Sequence, residues 1–108
     1  MGMTPEGRVK AAITRILKQW PERVYYYMPV QNGMGKPSLD YVGWVVGYAF
    51  AIEAKAPKKR PTPRQRATIA DMRAAGAKVF VIDGTDETDT YEELEEWLKY
   101  ELAAPTKR

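Results

Sequence analysis

Two carboxylates and an amine stand at the ends of two apolar runs, and their types and spacing suit chemistry on a phosphate. Asp40 opens the run that leads to Val45, and Glu53 and Lys55 close the run that begins at Tyr48. Paired carboxylates can hold a divalent metal ion, which lowers the pKa of bound water and polarises a phosphate. An ammonium group beside them can orient that water or meet developing negative charge. The pattern therefore predicts hydrolysis of a phosphodiester bond.

The register of the hairpin that these two runs predict decides whether the carboxylates meet. With a loop of two or four residues around Val46-Gly47, Asp40 faces Glu53, and their Cβ atoms lie ~4.5–5.5 Å apart. A loop with an odd number of residues places them on opposite faces unless a bulge intervenes. Lys55 follows Glu53 by two residues and therefore shares its face. Two carboxylates this close repel, which raises the pKa of one of them unless a cation intervenes.

Apolar periodicity and turn residues predict an α/β domain with a central mixed sheet flanked by helices, in the order α-β-β-β-α-β-α. Both faces of the central hairpin are largely apolar, so we expect helices to cover it on each side. Capping boxes that begin at Thr62 and Thr90 predict the starts of the second and third helices. The predicted elements are a helix over 5–19, strands over 24–30, 39–45 and 48–55, a helix from 63 to a stop at Gly76, a strand over 79–82 and a helix that begins after Thr90.

Alternation along the strands assigns side chains to the two faces of the sheet. The tyrosines over 25–27 could stack on bases of a nucleic acid, but burial of Tyr26 or its neighbours in the core is the simpler interpretation. Large side chains that fall on the face opposite the carboxylates are expected to build the core: Tyr41, Val45, Phe50 and Ile52.

The absence of Cys and His from the 108 residues excludes several classes of site. Disulfides, zinc sites with Cys or His ligands, Ser-His-Asp triads and Cys-His pairs are all impossible. A catalytic metal must therefore bind to oxygen atoms, which favours Mg²⁺ or Mn²⁺. Asp40, Glu53 and the backbone carbonyl of Ala54 are the expected ligands from the hairpin. No dinucleotide cofactor is expected.

No segment suggests a membrane or export. The longest run without charged or strongly polar residues, 42–52, is too short to span a bilayer, and no secretory signal is visible. We therefore expect a soluble, cytoplasmic protein with no membrane partner.

Charge is distributed unevenly along the chain. Residues 1–82 hold 14 Lys/Arg against 5 Asp/Glu, a net charge of +9, whereas residues 83–108 hold 3 against 9, a net charge of −6. A basic first part suggests a polyanionic partner, although helix surfaces that simply differ in charge explain the asymmetry equally well. Five cations surround the predicted start of the second helix and are expected to contact nucleic-acid phosphates, a solvated loop being the alternative: Lys58, Lys59, Arg60, Arg64 and Arg66.

A third acid, Glu6, lies in the first turn of the first predicted helix. It precedes Val9 by three residues and so shares the apolar face of that helix. The favourable interaction with the helix dipole is enough to explain a carboxylate in a first turn, but a position on the inward face of the helix fits a functional site better.

Three stretches of sequence combine these residues into a known pattern: GKPSLDYVG over 35–43, FAIEAKAP over 50–57 and RPTPRQ over 60–65. Over residues 4–83 the chain resembles the PD-(D/E)XK nuclease superfamily and, within it, the VRR-NUC group of small phage and DNA-repair nucleases. The resemblance implies a restriction-endonuclease-like core. It also implies that Asp40, Glu53 and Lys55 form the catalytic triplet.

The resemblance implies roles for two further residues. Glu6 matches the helix-borne acid that often completes the metal site, and Gln65 matches a helix glutamine that lines the site, although its capping box explains Gln65 equally well. Two features depart from the family pattern. Pro37 precedes Asp40 by three positions instead of one, and the strand over 79–83 lacks the basic residues that give the group its name.

We therefore predict one nuclease domain over 1–104, with a frayed tail over 105–108. The predicted activity is metal-dependent, structure-selective cleavage of flap, splayed-arm or junction DNA, in a bacterial or phage-infected cell. The resemblance also implies a homodimer. One alternative is a DNA-binding or complex-forming module whose nuclease site is silent or depends on a partner. Another is a protein-interaction domain that uses the acidic last helix, which has an ordinary amphipathic pattern.

Overall fold

A mixed β-sheet of four strands forms the centre of the computed structural model, which describes residues 2–31 and 33–104. The elements follow the predicted order: α1 (Pro5–Leu17), β1 (Val24–Tyr27), β2 (Tyr41–Val45), β3 (Tyr48–Ala54), α2 (Pro63–Ala74), β4 (Lys78–Ile82) and α3 (Tyr91–Ala103). The strands lie side by side in the order β1-β2-β3-β4. β1, β2 and β3 pair antiparallel, and β4 joins β3 in parallel. The tail predicted over 105–108 lies outside the described residues.

Several predicted boundaries are wrong by a few residues. β1 ends at Tyr27 and not at residue 30, and the chain over 28–31 leaves the ladder. Pro29 has no N–H to donate, so the strand has no reason to extend through it. β2 begins at Tyr41 and not at residue 39, and α1 ends at Leu17, two residues before the predicted end.

The turn of the hairpin has two residues, one of the loop lengths for which the sequence places Asp40 opposite Glu53. Val46 and Gly47 both have positive φ values, 42° and 93°. A two-residue loop of this kind matches the twist of the strands on either side, which explains why Gly occupies the second position. Val45 pairs with Tyr48, as predicted, and the ladder continues outward from this pair.

The main core lies between one face of the sheet and helices α1 and α3. The hairpin side chains predicted to build this core are all buried there: Tyr41, Val45, Phe50 and Ile52. Ile13 and Leu17 of α1 and Leu94 and Leu98 of α3 cover them. Since these helices come from opposite ends of the sequence, the core joins the two ends of the chain.

The other face of the sheet is covered only in part. α2 packs over β3 and β4 through Ile69, against Ala51 and Val79. Over β1 and β2 the same face is open, and Trp44 is exposed. The expectation that helices cover the hairpin on both sides is therefore wrong for its outer half, because α2 packs over the half of the sheet that β3 and β4 form.

Side chains cover the free edge of β4. The N–H of Val81 donates to Asp89 Oδ2 at 2.9 Å, and Arg73 donates to the carbonyl of Val79 at 3.1 Å. These contacts occupy backbone groups that would otherwise invite a further strand. Within the described part of the chain, no helix is both long and apolar enough to cross a membrane.

Candidate active site

The predicted acidic pair lies where the β2–β3 ladder opens at its outer end. Asp40 comes directly before β2, and its Oδ2 accepts a hydrogen bond from the backbone N–H of Ala54 at 2.9 Å. The N–H of Asp40 donates in turn to the carboxylate of Glu53. These reciprocal contacts extend the pairing of Tyr41 with Ile52 by one step, as the hairpin register predicted.

Glu53 is an acid in an apolar setting, with only 3% of its surface exposed. Burial, followed by repulsion from Asp40, raises the pKa of Glu53 to about 7, although Lys55 works in the opposite direction. The Nζ of Lys55 lies 3.7 Å from Glu53 Oε2, and its side chain is also mostly buried. A buried carboxylate with a raised pKa beside a second carboxylate is a group that a bound cation would stabilise.

A lysine that the sequence analysis did not identify, Lys10, bridges the other two acids. Its Nζ lies 3.5 Å from Glu6 Oε2 and 3.7 Å from Asp40 Oδ1. Burial would lower the pKa of Lys10, but attraction from Asp40 and Glu6 outweighs it, and the pKa lies above its usual value. The spacing of four residues between Glu6 and Lys10 was the available signal, since such pairs face each other on a helix.

Tyr41 fixes α1 against the acidic pair. Its hydroxyl donates to the backbone carbonyl of Lys10 at 2.9 Å and lies 2.8 Å from the hydroxyl of Thr14. Tyr41 also directly follows Asp40 in the chain. One buried ring therefore sets the distance between the helix that carries Glu6 and the strand end that carries Asp40.

The donors at this site suit a hard cation such as Mg²⁺ or Mn²⁺. Asp40 and Glu53 supply carboxylate oxygens, and no nitrogen or sulfur ligand competes with them. Glu6 has a side chain that is 44% exposed and is held by Lys10, and no group of three or more acids in the described ranges is arranged to hold a metal. The contact at Ala54 is through its N–H, and a role for its carbonyl stays a prediction. Asp40 and Glu53 would therefore be the main protein ligands.

Two of the cations predicted to bind nucleic acid are paired within the protein. Arg60 lies 3.3 Å from Asp83 Oδ2 and 3.1 Å from Glu87 Oε1. Lys58 lies 3.5 Å from Glu87 Oε2. Lys59 is exposed. Glu87 therefore offsets part of the positive charge that the sequence places in this loop.

Asp83 links the basic loop, residues 57–61, to the loop that follows β4. It is fully buried and accepts hydrogen bonds from the N–H of Lys58 at 2.9 Å, the hydroxyl of Thr85 at 2.6 Å and the hydroxyl of Thr88 at 3.0 Å. Burial alone would raise the pKa of Asp83, but the hydrogen bonds from Thr85, Lys58 and Thr88 outweigh it and hold the pKa well below its usual range. The sequence analysis missed Asp83, because two of its partners, Lys58 and Arg60, are more than 20 residues away in the chain.

The start of α2 borders a groove of about 360 Å³ that residues 29–31 and 33–38 also line. Arg64 and Gln65 line it from the helix, and Lys36 lines it from the loop. Gln65 also completes the predicted capping box, since its Oε1 accepts from the N–H of Thr62 at 3.0 Å. Arg66 donates to the carbonyl of Pro61 at 2.9 Å. Arg64, unlike Arg60, therefore lines this groove.

We expect Lys10→Met to tighten Mn²⁺ binding several-fold. The ammonium of Lys10 lies beside Asp40, so its removal would relieve repulsion with a bound cation. Titration of the metal-free protein with Mn²⁺, monitored by electron paramagnetic resonance, measures the change in Mn²⁺ affinity. Lys18→Met, at an exposed position near the end of α1, is the matched control. Weaker binding in Lys10→Met would contradict the expectation and give Lys10 a role in holding the acids in place.

The raised pKa of Glu53 predicts how stability depends on pH in EDTA. A carboxyl group whose pKa is higher in the folded state favours folding at low pH, and this contribution is lost as pH rises from about 4.5 to about 7. Glu53→Gln should therefore gain stability relative to the native protein across this window, by on the order of 2–3 kcal/mol at pH 8. Urea denaturation of both proteins at pH 4.5 and pH 8 tests this. An unchanged difference between them at the two pH values would contradict the pKa shift.

Comparison with known proteins leaves the family open. No protein-family model matches this chain, and no curated protein sequence matches it significantly. The resemblance carried by the residues around Asp40, Glu53 and Gln65 therefore stays a prediction.

Proposed function

We propose that this protein is a DNA endonuclease that uses Mg²⁺ or Mn²⁺ to hydrolyse phosphodiester bonds. One observation carries the proposal: buried Glu53, with a raised pKa, lies beside Asp40 and Lys55 at the open end of a hairpin. Burial of two adjacent acids is costly unless a cation stabilises them, so the arrangement suits a metal site better than a purely structural one.

Each side chain of the site has a separate role in the proposed hydrolysis. When bound, the metal supplies an activated water and neutralises charge on the phosphate. Asp40 and Glu53 would hold it, and Glu6 would add an oxygen from α1. Lys55, beside Glu53, would orient the water or meet negative charge that develops on the phosphate. We assign Lys55 a positioning role and not that of a general base, because its ammonium group is paired with the carboxylate of Glu53.

DNA is the proposed substrate, with branched or flapped structures preferred over a particular sequence. Lys59, Arg64 and Arg66 are exposed around the start of α2 and would contact phosphates, and such contacts position a nucleic acid without reading its bases. Gln65 would line the groove beside them. The proposed setting is the cytoplasm of a bacterial or phage-infected cell. A homodimer, which cutting of two strands would favour, is part of the proposal.

A cleavage assay tests the proposal. Labelled duplex, single-stranded, flap, splayed-arm and four-way-junction DNA would be incubated with the protein in Mg²⁺, Mn²⁺ or EDTA. We expect cutting that requires a metal and favours a branched substrate. Sedimentation with and without DNA would test the homodimer, and a strict monomer in both conditions would exclude it. Failure to cut any substrate in either metal, by protein that binds DNA, would overturn the proposed activity.

A second candidate is a DNA-binding or complex-forming module whose nuclease site is silent or needs a partner. The observation that favours it is the pairing of the acids within the protein, since Lys10 contacts Asp40 and Lys55 contacts Glu53. Ammonium groups in these positions could stabilise the acids without a metal. Mn²⁺ binding discriminates the candidates, because a silent module has no need to bind Mn²⁺ at Asp40 and Glu53.

A further inference from the structure

Three aromatic rings lie together on the part of the sheet that α2 leaves open. Tyr25 and Tyr27 of β1 are 66% and 46% exposed, and Trp44 of β2 is 42% exposed. The ring centroid of Trp44 lies 6.0 Å from that of Tyr25 and 6.5 Å from that of Tyr27. We call these three residues the aromatic platform. Large aromatic side chains on an open sheet face are costly in water, so their exposure suggests a ligand with flat surfaces.

The aromatic platform lies on the same face of the sheet as the candidate active site. Tyr27 pairs with Val42, so β1 ends near the end of β2 that begins after Asp40. Two residues beyond Tyr27, Pro29 already lines the groove that Lys36 and Arg64 border. The chain therefore connects the rings to a groove that opens beside the start of α2.

The charge along this route suits a polyanion. Among the described residues, the groove is lined by two cations, Lys36 and Arg64, and by no acidic residue. The segments over 23–39 and 41–52, which carry the aromatic platform and the loop, also contain no Asp or Glu. Rings that can stack on bases, followed by cations that can meet phosphates, are the combination by which proteins bind single-stranded nucleic acid.

We propose that the aromatic platform binds an unpaired DNA strand, whose bases stack on Tyr25, Trp44 and Tyr27. The strand continues into the groove, where Lys36 and Arg64 contact its phosphates. This inference rests on the proposed function and deepens it: the preferred substrate carries a single-stranded segment, such as a flap or a splayed arm. The platform then holds that segment and directs the adjoining phosphates toward Asp40 and Glu53.

Binding of fluorescein-labelled oligothymidylate in EDTA tests the inference without any cleavage. A strand of the same length without bases is the comparison ligand. We expect Tyr25→Ala and Tyr27→Ala each to weaken binding of oligothymidylate about tenfold, and Tyr25→Phe, which keeps the ring, to bind as the native protein does. The base-free strand should bind weakly and equally to all of them. Tyr100→Ala removes a tyrosine that is also 66% exposed, on α3, and should not alter binding.

Three results would overturn the inference. If Tyr25→Ala and Tyr27→Ala bound oligothymidylate with native affinity, the aromatic platform would be excluded as the binding site. If they lost equal affinity for the base-free strand, stacking on bases would be excluded. Sedimentation that shows dimers of the native protein and monomers of these variants, with DNA affinity unchanged, would assign the platform to a second copy. Circular dichroism melts confirm that each variant is folded. Because EDTA prevents cutting, a failure here is separate from a failure of the nuclease proposal, which the metal-dependent cleavage assay judges.

Discussion

Lys55→Ala is expected to lower metal-dependent DNA cleavage by about 10²–10³-fold while the protein stays folded and binds DNA. The reason lies in the position of the ammonium group, 3.7 Å from Glu53 Oε2 and mostly shielded from water. A charge held in this way needs no rearrangement when negative charge develops on the phosphate. Single-turnover cleavage rates at saturating Mg²⁺, together with DNA affinity in EDTA, separate a loss of chemistry from a loss of binding.

Lys99→Ala is the matched control for this variant. Lys99 is exposed on α3, so its removal changes the net charge of the protein equally without altering the acidic pair. The control should cut at the native rate. Equal losses of cleavage rate in Lys55→Ala and Lys99→Ala would show that the effect comes from the change in net charge and not from the position of Lys55. Cleavage at the native rate by Lys55→Ala would contradict the proposed role of Lys55 beside Asp40 and Glu53.

Asp83→Ala is expected to destabilise the fold by roughly 3–5 kcal/mol, because several donors lose a buried, charged acceptor at once. The substitution leaves the N–H of Lys58, the hydroxyls of Thr85 and Thr88 and the guanidinium of Arg60 without their shared acceptor. Urea denaturation at pH 7 measures the free energy of unfolding. The melting temperature should fall by more than about 10 °C, given the usual shift for a domain of about 100 residues.

The pH dependence of the same variant provides an internal check. Because the pKa of Asp83 is depressed in the folded protein, its contribution is complete above the pKa of an unfolded Asp, about 4, and is lost as pH falls below it. The native protein should therefore lose part of its advantage over Asp83→Ala as pH falls from 4 to 2. Asp86→Ala, at an exposed position in the same loop, should stay near native stability. A loss in Asp83→Ala below about 1 kcal/mol would show that the loops hold together without this acceptor.

Features that depend only on residues close together in the sequence were predicted from the sequence alone. The two-residue turn at Val46-Gly47 placed Asp40 opposite Glu53, because strand parity propagates from the turn. The capping boxes at Thr62 and Thr90 are present as predicted, since each needs only side chains and backbone groups of one helical turn. Charge pairing was harder to predict. The basic loop was expected to be free for DNA, yet Arg60 is bound by Asp83 and Glu87.

By itself, then, the sequence determined the order of the elements, the hairpin register and the placement of Asp40, Glu53 and Lys55 on one face. Only the tertiary structure decided that Lys10 contacts Asp40, that Asp83 accepts hydrogen bonds from the basic loop, and that the sheet face around Trp44 stays open. The physical reason is the same in each case. Periodicity specifies which face of an element a side chain occupies, but the packing of elements distant in the chain decides what, if anything, covers that face.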